Sequence, residues 1–295
     1  MLAEYTGSRA LNNYPSGSTI SYYKNQLYLM GDDAASMLIL DKDFNIQQEV
    51  KFFSSDTPRI KKTEKADIES SEWIIENNEG KLWLFGSGSL SPQRDKAFRY
   101  DPHTKNVKHI ELGSFYRKLK SSVIPELNIE AAAKVKDVFL LGSRGNLTYP
   151  QNYIIQVSAD HFPPESASRI TPLNLPDAAG ISGMSYLQDQ DMLLITSSIE
   201  YTANAFDDGE IGGSYLGIVH DISTKLAGAE IKPDEWLDLA ALHPDFTLQK
   251  IESICTYKSE NPKYVTAILV SDDDMGGTRL FSLTLKVEYG LGQIS

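Results

Sequence analysis

Hydrophobic residues in this chain come in short unbroken runs that end in small or acidic residues. Leu27–Met30 leads into Gly31-Asp32-Asp33, Leu82–Phe85 into Gly86-Ser87-Gly88-Ser89, and Val138–Leu141 into Gly142-Ser143-Arg144-Gly145-Asn146. Met192–Ile195, before Thr196-Ser197-Ser198, and Tyr264–Val270, before Ser271-Asp272-Asp273-Asp274, complete the set. An uninterrupted apolar run bounded by turn residues is what a strand covered on both faces requires. Five such strands are predicted.

Ahead of each run stands a phrase built on one isoleucine between polar or small neighbours. The phrases are Thr19-Ile20-Ser21, Asp67-Ile68-Glu69-Ser70, Asn128-Ile129-Glu130-Ala131, Gly180-Ile181-Ser182-Gly183 and Lys250-Ile251-Glu252-Ser253. Their isoleucines are 48, 61, 52 and 70 residues apart, an irregular period close to that of a propeller blade with insertions. A third strand follows in each unit, over Met37–Leu40, Ala97–Tyr100, Tyr153–Val157, Leu216–Val219 and Leu280–Leu285. A more polar fourth fits Ile46–Phe52, Val107–Leu112 and Arg169–Leu173, as an outer edge should.

The last unit runs out of chain after its third strand, whereas Leu2–Leu11 precedes the first unit with no partner. Pairing the two closes the ring and removes its open edges. The predicted fold class is therefore all-β: a single five-bladed β-propeller over residues 1–295, with four-stranded blades and the N-terminal strand closing the last one. A six-bladed ring, with a degenerate blade within residues 200–250, is the alternative. Ser114–Ser121 and Pro233–Leu242 read as helical insertions, the second because Pro233 suits a first turn and Asp234 and Glu235 suit its dipole.

Antiparallel order sets the start of each first strand beside the end of the second. One mouth of the channel then collects Glu69, Glu130 and Glu252 at equivalent positions, with Ser21 and Ser182 in the other two blades, and Asp67, Asn128 and Lys250 one residue before the isoleucines. Three glutamates around one axis require a counter-charge, since like charges brought together raise each other's pKa. A bound metal or the basic residues Lys65, Arg94, Arg144 and Lys250 can supply it. The hard oxygen donors Asp67, Glu69, Asn128, Glu130 and Glu252 favour a divalent cation of the calcium or magnesium type, calcium first, over zinc. A purely internal salt-bridge network, or unrelated exposed carboxylates, stand as the other readings.

Gly86–Ser89 and Gly142–Asn146 offer backbone N–H groups and hydroxyls to an anion, with Arg94 and Arg144 adding charge, although a plain turn is the simpler reading of either stretch. The long connection Glu200–Gly213, with Asp207-Asp208-Gly209-Glu210, reads first as a solvated turn and second as a cap over the channel. Asp272-Asp273-Asp274 is read the same way, with one carboxylate turned inward.

Charge and composition narrow the partners. Forty Asp and Glu against 28 Lys and Arg give a net charge of −12, which speaks against a phosphate-backbone binder. Cys255 is the only cysteine, so there is no intrachain disulfide, and it reads as a packed small hydrophobe in an inner strand. No apolar run reaches membrane-spanning length, and Met1-Leu2-Ala3-Glu4-Tyr5 lacks the basic and apolar regions of a leader. The sequence as it stands reads as cytoplasmic and without membrane contact, with an absent secretory leader as the alternative. Gly-x-Ser-x-Gly, HExxH and helix-opening GxGxxG motifs are all missing. Asn146-Leu147-Thr148 matches a glycosylation sequon by chance, and His103 and His109 fall on an outer turn and strand.

At Lys65–Glu69, Leu141–Asn146, Asp207–Ser214 and Lys250–Glu252 the chain resembles a bacterial propeller family of unknown function, over nearly its whole length. The resemblance implies a polar site built from Lys65, Asp67, Glu69, Arg94, Asn128, Glu130, Arg144, Asn146, Lys250 and Glu252. More distantly, the Lys-x-Asp-x-Glu phrase is similar to one in propellers with phytase-type esterase activity, where Gly follows and this chain has Ser70. Gluconolactonase-like propellers, which hold an axial divalent cation, are a parallel at the level of fold.

The functional expectation is a metal-assisted hydrolase of a small anionic ester, lactone or phosphoester. In it Glu69 or Glu130 is ligand or general base, and Lys65, Arg94, Arg144, Asn146 and Lys250 hold the anionic ligand. A non-catalytic propeller that binds a ligand or protein partner on the same face is the rival.

Overall fold

The computed structural model describes residues 2–159, 163–176, 178–207, 209–272 and 277–287. Strand β1 (Leu2–Leu11) leads into blade one, formed by β2 (Gly17–Tyr23), β3 (Gln26–Gly31), β4 (Ser36–Leu40) and β5 (Ile46–Lys51). Blade two holds β6 (Ile68–Glu76), β7 (Glu79–Gly86), β8 (Lys96–Asp101) and β9 (Asn106–Glu111), and helix α1 (Gly113–Lys120) follows it. Blade three is β10 (Ile129–Val135), β11 (Val138–Ser143), β12 (Asn152–Ser158) and β13 (Arg169–Leu173). Blade four is β14 (Ala179–Leu187), β15 (Met192–Tyr201), β16 (Glu210–Val219) and β17 (Glu235–Asp238). Blade five is β18 (Lys250–Lys258), β19 (Tyr264–Asp272), β20 (Thr278–Lys286) and, on its outer edge, β1.

All pairings within the blades are antiparallel, and the first strand of each blade neighbours the first strands of the next and the previous one. The result is the expected five-bladed ring. The apolar core is divided into five clusters, one between each pair of adjacent blades. Each second strand contributes to two of them. On β7, Leu82 and Leu84 pack toward blade one while Trp83 and Phe85 pack toward blade three. On β3, Leu27 and Leu29 face blade five while Tyr28 and Met30 face blade two. Side chains alternate across a strand, so a strand that separates two cores must be apolar at both parities. That is the origin of the unbroken runs.

Helix α1 sits within one residue of the predicted span and buries Phe115, Tyr116 and Leu119 between blades two and three. The second expected helix is largely replaced. Glu235–Asp238 pairs with β16 as the fourth strand of blade four, and only Leu239–Leu242 turns helical, capped by Asp238. Blade four needed an outer strand, and pairing with the free edge of β16 outweighs the local helix signal of Pro233-Asp234-Glu235. Residues 200–250 are spent on blade four itself, so no sixth blade forms there. Among the described residues, no helix is long and apolar enough to cross a membrane.

Closure is made by β1, which pairs with β20 from Leu2↔Lys286 to Leu11↔Thr278. Tyr5 Oη donates to Asp245 (2.5 Å), and Thr278 Oγ1 latches blade five to blade one, accepting from Gly17 N (2.8 Å) and donating to Tyr14 O (2.9 Å). Deleting residues 2–11 should leave the β20 edge open and abolish cooperative thermal unfolding, with self-association visible by size-exclusion chromatography. A truncated chain that melts like the full one would show that closure by β1 is dispensable.

Candidate functional site

The site starts from one irregularity repeated five times. Where each first strand meets the second, the pairing skips a residue: Gly17 then Thr19, Ile68 then Ser70, Ile129 then Ala131, Ile181 then Gly183, Ile251 then Ser253. The skipped residues are Ser18, Glu69, Glu130, Ser182 and Glu252. A β-bulge takes its extra residue out of the ladder and re-aims the side chain. Ser18, Glu69, Glu130 and Glu252 line a cavity of about 410 Å³ at the mouth of the channel, while Ser182 is buried beside it. The expected equivalence of the three glutamates holds. In blade one the phrase is shifted by three residues: Ser18, not Ser21, occupies the bulge, and Ser21 lies toward the other end of the channel, where it accepts from Trp73 Nε1 (3.1 Å).

Second-strand ends supply the rest of the wall. Asp32 and Asp33 follow β3, Arg144 follows β11, Glu200 is the last but one residue of β15 and Asp272 ends β19, and all line the cavity. Two ionic groups result. In the first, Lys65 binds Asp32 and Asp67 Oδ1 (2.7 Å), and Arg94 Nη1 donates to Asp67 Oδ2 (2.5 Å) and Ser89 Oγ (2.7 Å). Gly86 is required here: a Cβ would stand 2.6 Å from the carbonyl oxygens of Ala66 and Arg94, the backbone that carries these side chains to the mouth.

In the second group Arg144 binds Glu130 (3.2 Å) and Glu200 (3.2 Å), and Lys250 binds Glu200 (3.1 Å) and Glu252 (3.0 Å). Asn128 Nδ2 donates to Glu130 Oε1 (2.6 Å). The Arg144 side chain crosses over Gly180, where a Cβ would come within 2.5 Å of Nε. Arg59, farther out, binds Asp33 (2.7 Å).

This pairing leaves acid in excess. Nine Asp and Glu and seven Lys and Arg line the cavity among the described residues, so two negative charges lack a counter-charge if every group ionises. The excess appears as perturbed carboxyls. Burial, with the nearby Asp67, Asp32 and Glu130, drives Glu69 well above the usual carboxylate range. Burial lifts Asp32 to about 6 and Glu252 to about 8, against the pull of Lys65 and Lys250. Burial pushes Glu200 up as well, yet Lys250 and Arg144 outweigh it and hold that carboxyl below its ordinary value. Among the described residues Glu69 has no hydrogen-bond or ion-pair partner, and Asp32 Oδ1 is a buried oxygen with none.

Carboxylate oxygens of Asp32, Asp67 and Glu69 lie within 4.8 Å of one another. This all-oxygen set suits a hard divalent cation. Of the five ligands expected from sequence, Asp67 and Glu69 belong to it, Glu130 is held by Arg144 and Asn128, and Glu252 is held by Lys250.

Residues 13–285 match the model of a family of unknown function, DUF6929. The chain belongs to that family. No curated protein sequence matches it. Two solved structures similar to this DUF6929 chain share its fold. Glutaminyl cyclase of Myxococcus xanthus is 8% identical with a TM-score of 0.54, over 97% of both chains. A GH43 β-1,3-galactosidase, solved with galactodeoxynojirimycin, is 10% identical with a TM-score of 0.53, over 93% of this chain and 91% of that one. Kuenenia stuttgartiensis hydrazine synthase is 10% identical with a TM-score of 0.43, and the match covers 94% of this chain but 64% of that one.

The DUF6929 mouth brings together all ten residues singled out from sequence. Two roles shift. The guanidinium groups of Arg94 and Arg144 are committed to carboxylates, and Asn146 is committed to Glu126 (2.7 Å) and to its own turn. Asp32, Asp33, Arg59 and Glu200 were missed as site residues, although Asp32 and Asp33 close the first apolar run, where second-strand ends were placed at this mouth. The connection after Glu200 lines the cavity through Thr202 and Asn204–Asp207, so it caps one side. Asp208, Asp273, Asp274, Met275, Gly276 and His161 lie outside the described residues.

Glu69→Gln should raise the melting temperature by a few degrees near neutral pH. A folded-state carboxyl pKa above the unfolded value means that the native chain binds the extra proton, so stability falls as pH rises from about 4 through the folded pKa. The gain in the variant must therefore vanish toward about pH 4, and melts across this range test it; an equal gain at all pH values would contradict the assignment. Gly180→Ala should cost about 1–3 kcal/mol by overpacking and release Arg144 from Glu130 and Glu200, measurable as a lower denaturation midpoint.

Proposed function

We propose that the mouth is the active site of a hydrolase that cleaves a small ester, lactone or phosphoester with a divalent cation held by Asp32 and Asp67, beside Glu69. The observation that carries this reading is the close trio of carboxylates, two of which present oxygens without partners, on the wall of an open polar cavity. The likeness of Lys65-x-Asp67-x-Glu69 to the phrase of phytase-type esterase propellers supports it. Such an ion polarises a carbonyl or phosphoryl oxygen and activates water. Asp32 and Asp67 serve as ligands, positioned by Lys65 and Arg94. Glu69 takes the proton of the attacking water, a role suited to a carboxylate made more basic by burial. In this reading Glu252, on the same cavity wall and with its carboxyl lifted by burial to about 8, is the proton donor to the leaving oxygen. Glu130, fixed by Arg144 and Asn128, offers a rigid acceptor to the substrate.

The rival is a non-catalytic binding propeller. It is favoured by one fact: Arg94, Arg144 and Lys250 are already paired within the protein, as in a site built to hold its shape.

Elemental analysis, calcium and magnesium titrations followed by thermal melts, and a pH-stat screen of esters, lactones and phosphoesters separate the two. The expected result is one ion per chain, a melting shift lost in Asp67→Asn, and turnover reduced about 100-fold or more by Glu69→Gln with folding intact. Absence of ion, shift and turnover refutes the hydrolase. Undiminished ligand affinity in Glu69→Gln without turnover in the wild type supports the binding module.

A further inference from the structure

Nine large apolar side chains are exposed among the described residues, and four of them stand on two backbone segments that are hydrogen-bonded to each other. Leu147 (55% exposed) and Tyr149 (43%) stand on the connection after β11, Tyr201 (51%) is the last residue of β15 and Phe206 (37%) follows on the next connection; Phe206 lines the cavity, and the other three adjoin Asn146 and Thr202, which do. The other five stand on separate elements of the fold. Isolated exposed hydrophobes need no explanation, but a group at the rim of a cavity marks a binding surface.

These connections are rigidly built. Asn146 Oδ1 accepts from the N–H groups of Thr148 and Tyr149 (both 2.9 Å), and Asn204 Oδ1 accepts from those of Phe206 (2.8 Å) and Asp207 (2.9 Å). The same side-chain-capped turn is thus made twice. The two loops are then tied together: Leu147 N donates to Thr202 O (2.9 Å) and Thr148 Oγ1 to Ala203 O (2.5 Å). Glu126 Oε2 accepts from both, from Asn146 Nδ2 (2.7 Å) and Ala205 N (3.2 Å). The ring of Phe206 lies 5.1 Å over the Arg94 guanidinium, which fixes it at the edge of the first ionic group.

Fixing an apolar group before binding removes an ordering cost that a ligand would otherwise meet. The floor of the mouth is charged, and this lip is apolar on one side only. A ligand that satisfies both has two unlike ends.

We propose that the lip of Leu147, Tyr149, Tyr201 and Phe206 binds the apolar part, an alkyl chain or aromatic ring, of the substrate whose polar end enters the mouth. The substrate class is therefore amphiphilic, and the hydrolase reading is needed only to name the bond at its polar end. Phe206 lines the cavity itself, and Leu147, Tyr149 and Tyr201 are joined through the backbone to Asn146 and Thr202 on the same wall; this selects a molecule already seated in the cavity over a second copy of the chain or another protein.

The test uses the γ-lactones from γ-butyrolactone to γ-dodecalactone, with Kd from calorimetry and kcat/KM from the pH-stat, on wild type, Leu147→Ser/Phe206→Ser and Tyr201→Ser. Kd should fall about two- to four-fold per added methylene, the upper figure being full burial of each CH₂, and this dependence should flatten in both variants. Tighter binding with chain length but no turnover sustains the lip and refutes the hydrolase. Turnover with no chain-length dependence in Kd or kcat/KM refutes the lip and leaves the hydrolase standing. A flat or absent binding series without turnover refutes the lip as well. Sedimentation showing a dimer that both variants dissolve, with a flat lactone series, would assign the surface to a second copy instead.

Discussion

One extra residue per blade decides where the charges go. In a propeller the side chains of a regular strand alternate between two blade-to-blade cores, and both of these are apolar here. A charge that kept to this alternation near the mouth would face one of those cores. The bulges at Ser18, Glu69, Glu130, Ser182 and Glu252 remove one residue from that alternation near the mouth, and three glutamates use the freedom to leave the cores. The lead-in residues Lys65, Asp67, Asn128 and Lys250, and the strand ends that face them, then fall within reach. Without the bulge the same sequence would have to desolvate these carboxylates against leucine and phenylalanine, at a cost that no neighbouring cation could offset.

Concentrating them has its own cost, visible as an excess of acid over base. Five cations bind six carboxylates in chains that run from Asp32 through Lys65 and Asp67 to Arg94, from Glu130 through Arg144, Glu200 and Lys250 to Glu252, and outward between Arg59 and Asp33. Glu69 stays outside these chains. A fold that tolerates an unpaired, desolvated carboxyl at its centre stores instability there, as functional sites do. The rest of the wall is over-determined by comparison, since Arg144 is seated over Gly180 and gripped from two blades at once.

Rim and floor differ in kind. The floor is set by strands whose positions five cores dictate. The rim belongs to loops that hold themselves by Asn-capped turns, with Glu126 joining two of them. Loops built this way can vary in sequence without disturbing the blades, so the part of the site that meets the outer end of a ligand is the part the fold constrains least.

Blade number, strand order, closure by Leu2–Leu11 and the mouth that collects Glu69, Glu130 and Glu252 were all legible in the sequence, because each follows from local patterns. Double-sided burial writes an unbroken apolar run, and the bulge writes a polar residue after an isoleucine in four of the blades. The first blade uses Gly17 in place of that isoleucine, and Ile20, three residues on, imitates the phrase; only the pairing of Thr19 with Met30 exposes the shift. Pro233-Asp234-Glu235 reads locally as a helix start, but an unfilled sheet edge, a non-local fact, made Glu235–Asp238 a strand. Which charges are free is equally non-local. Arg94 and Arg144 look available in sequence, and the tertiary structure spends them on Asp67, Glu130 and Glu200 while leaving Glu69 alone, since pairing depends on distances between blades that no single blade encodes.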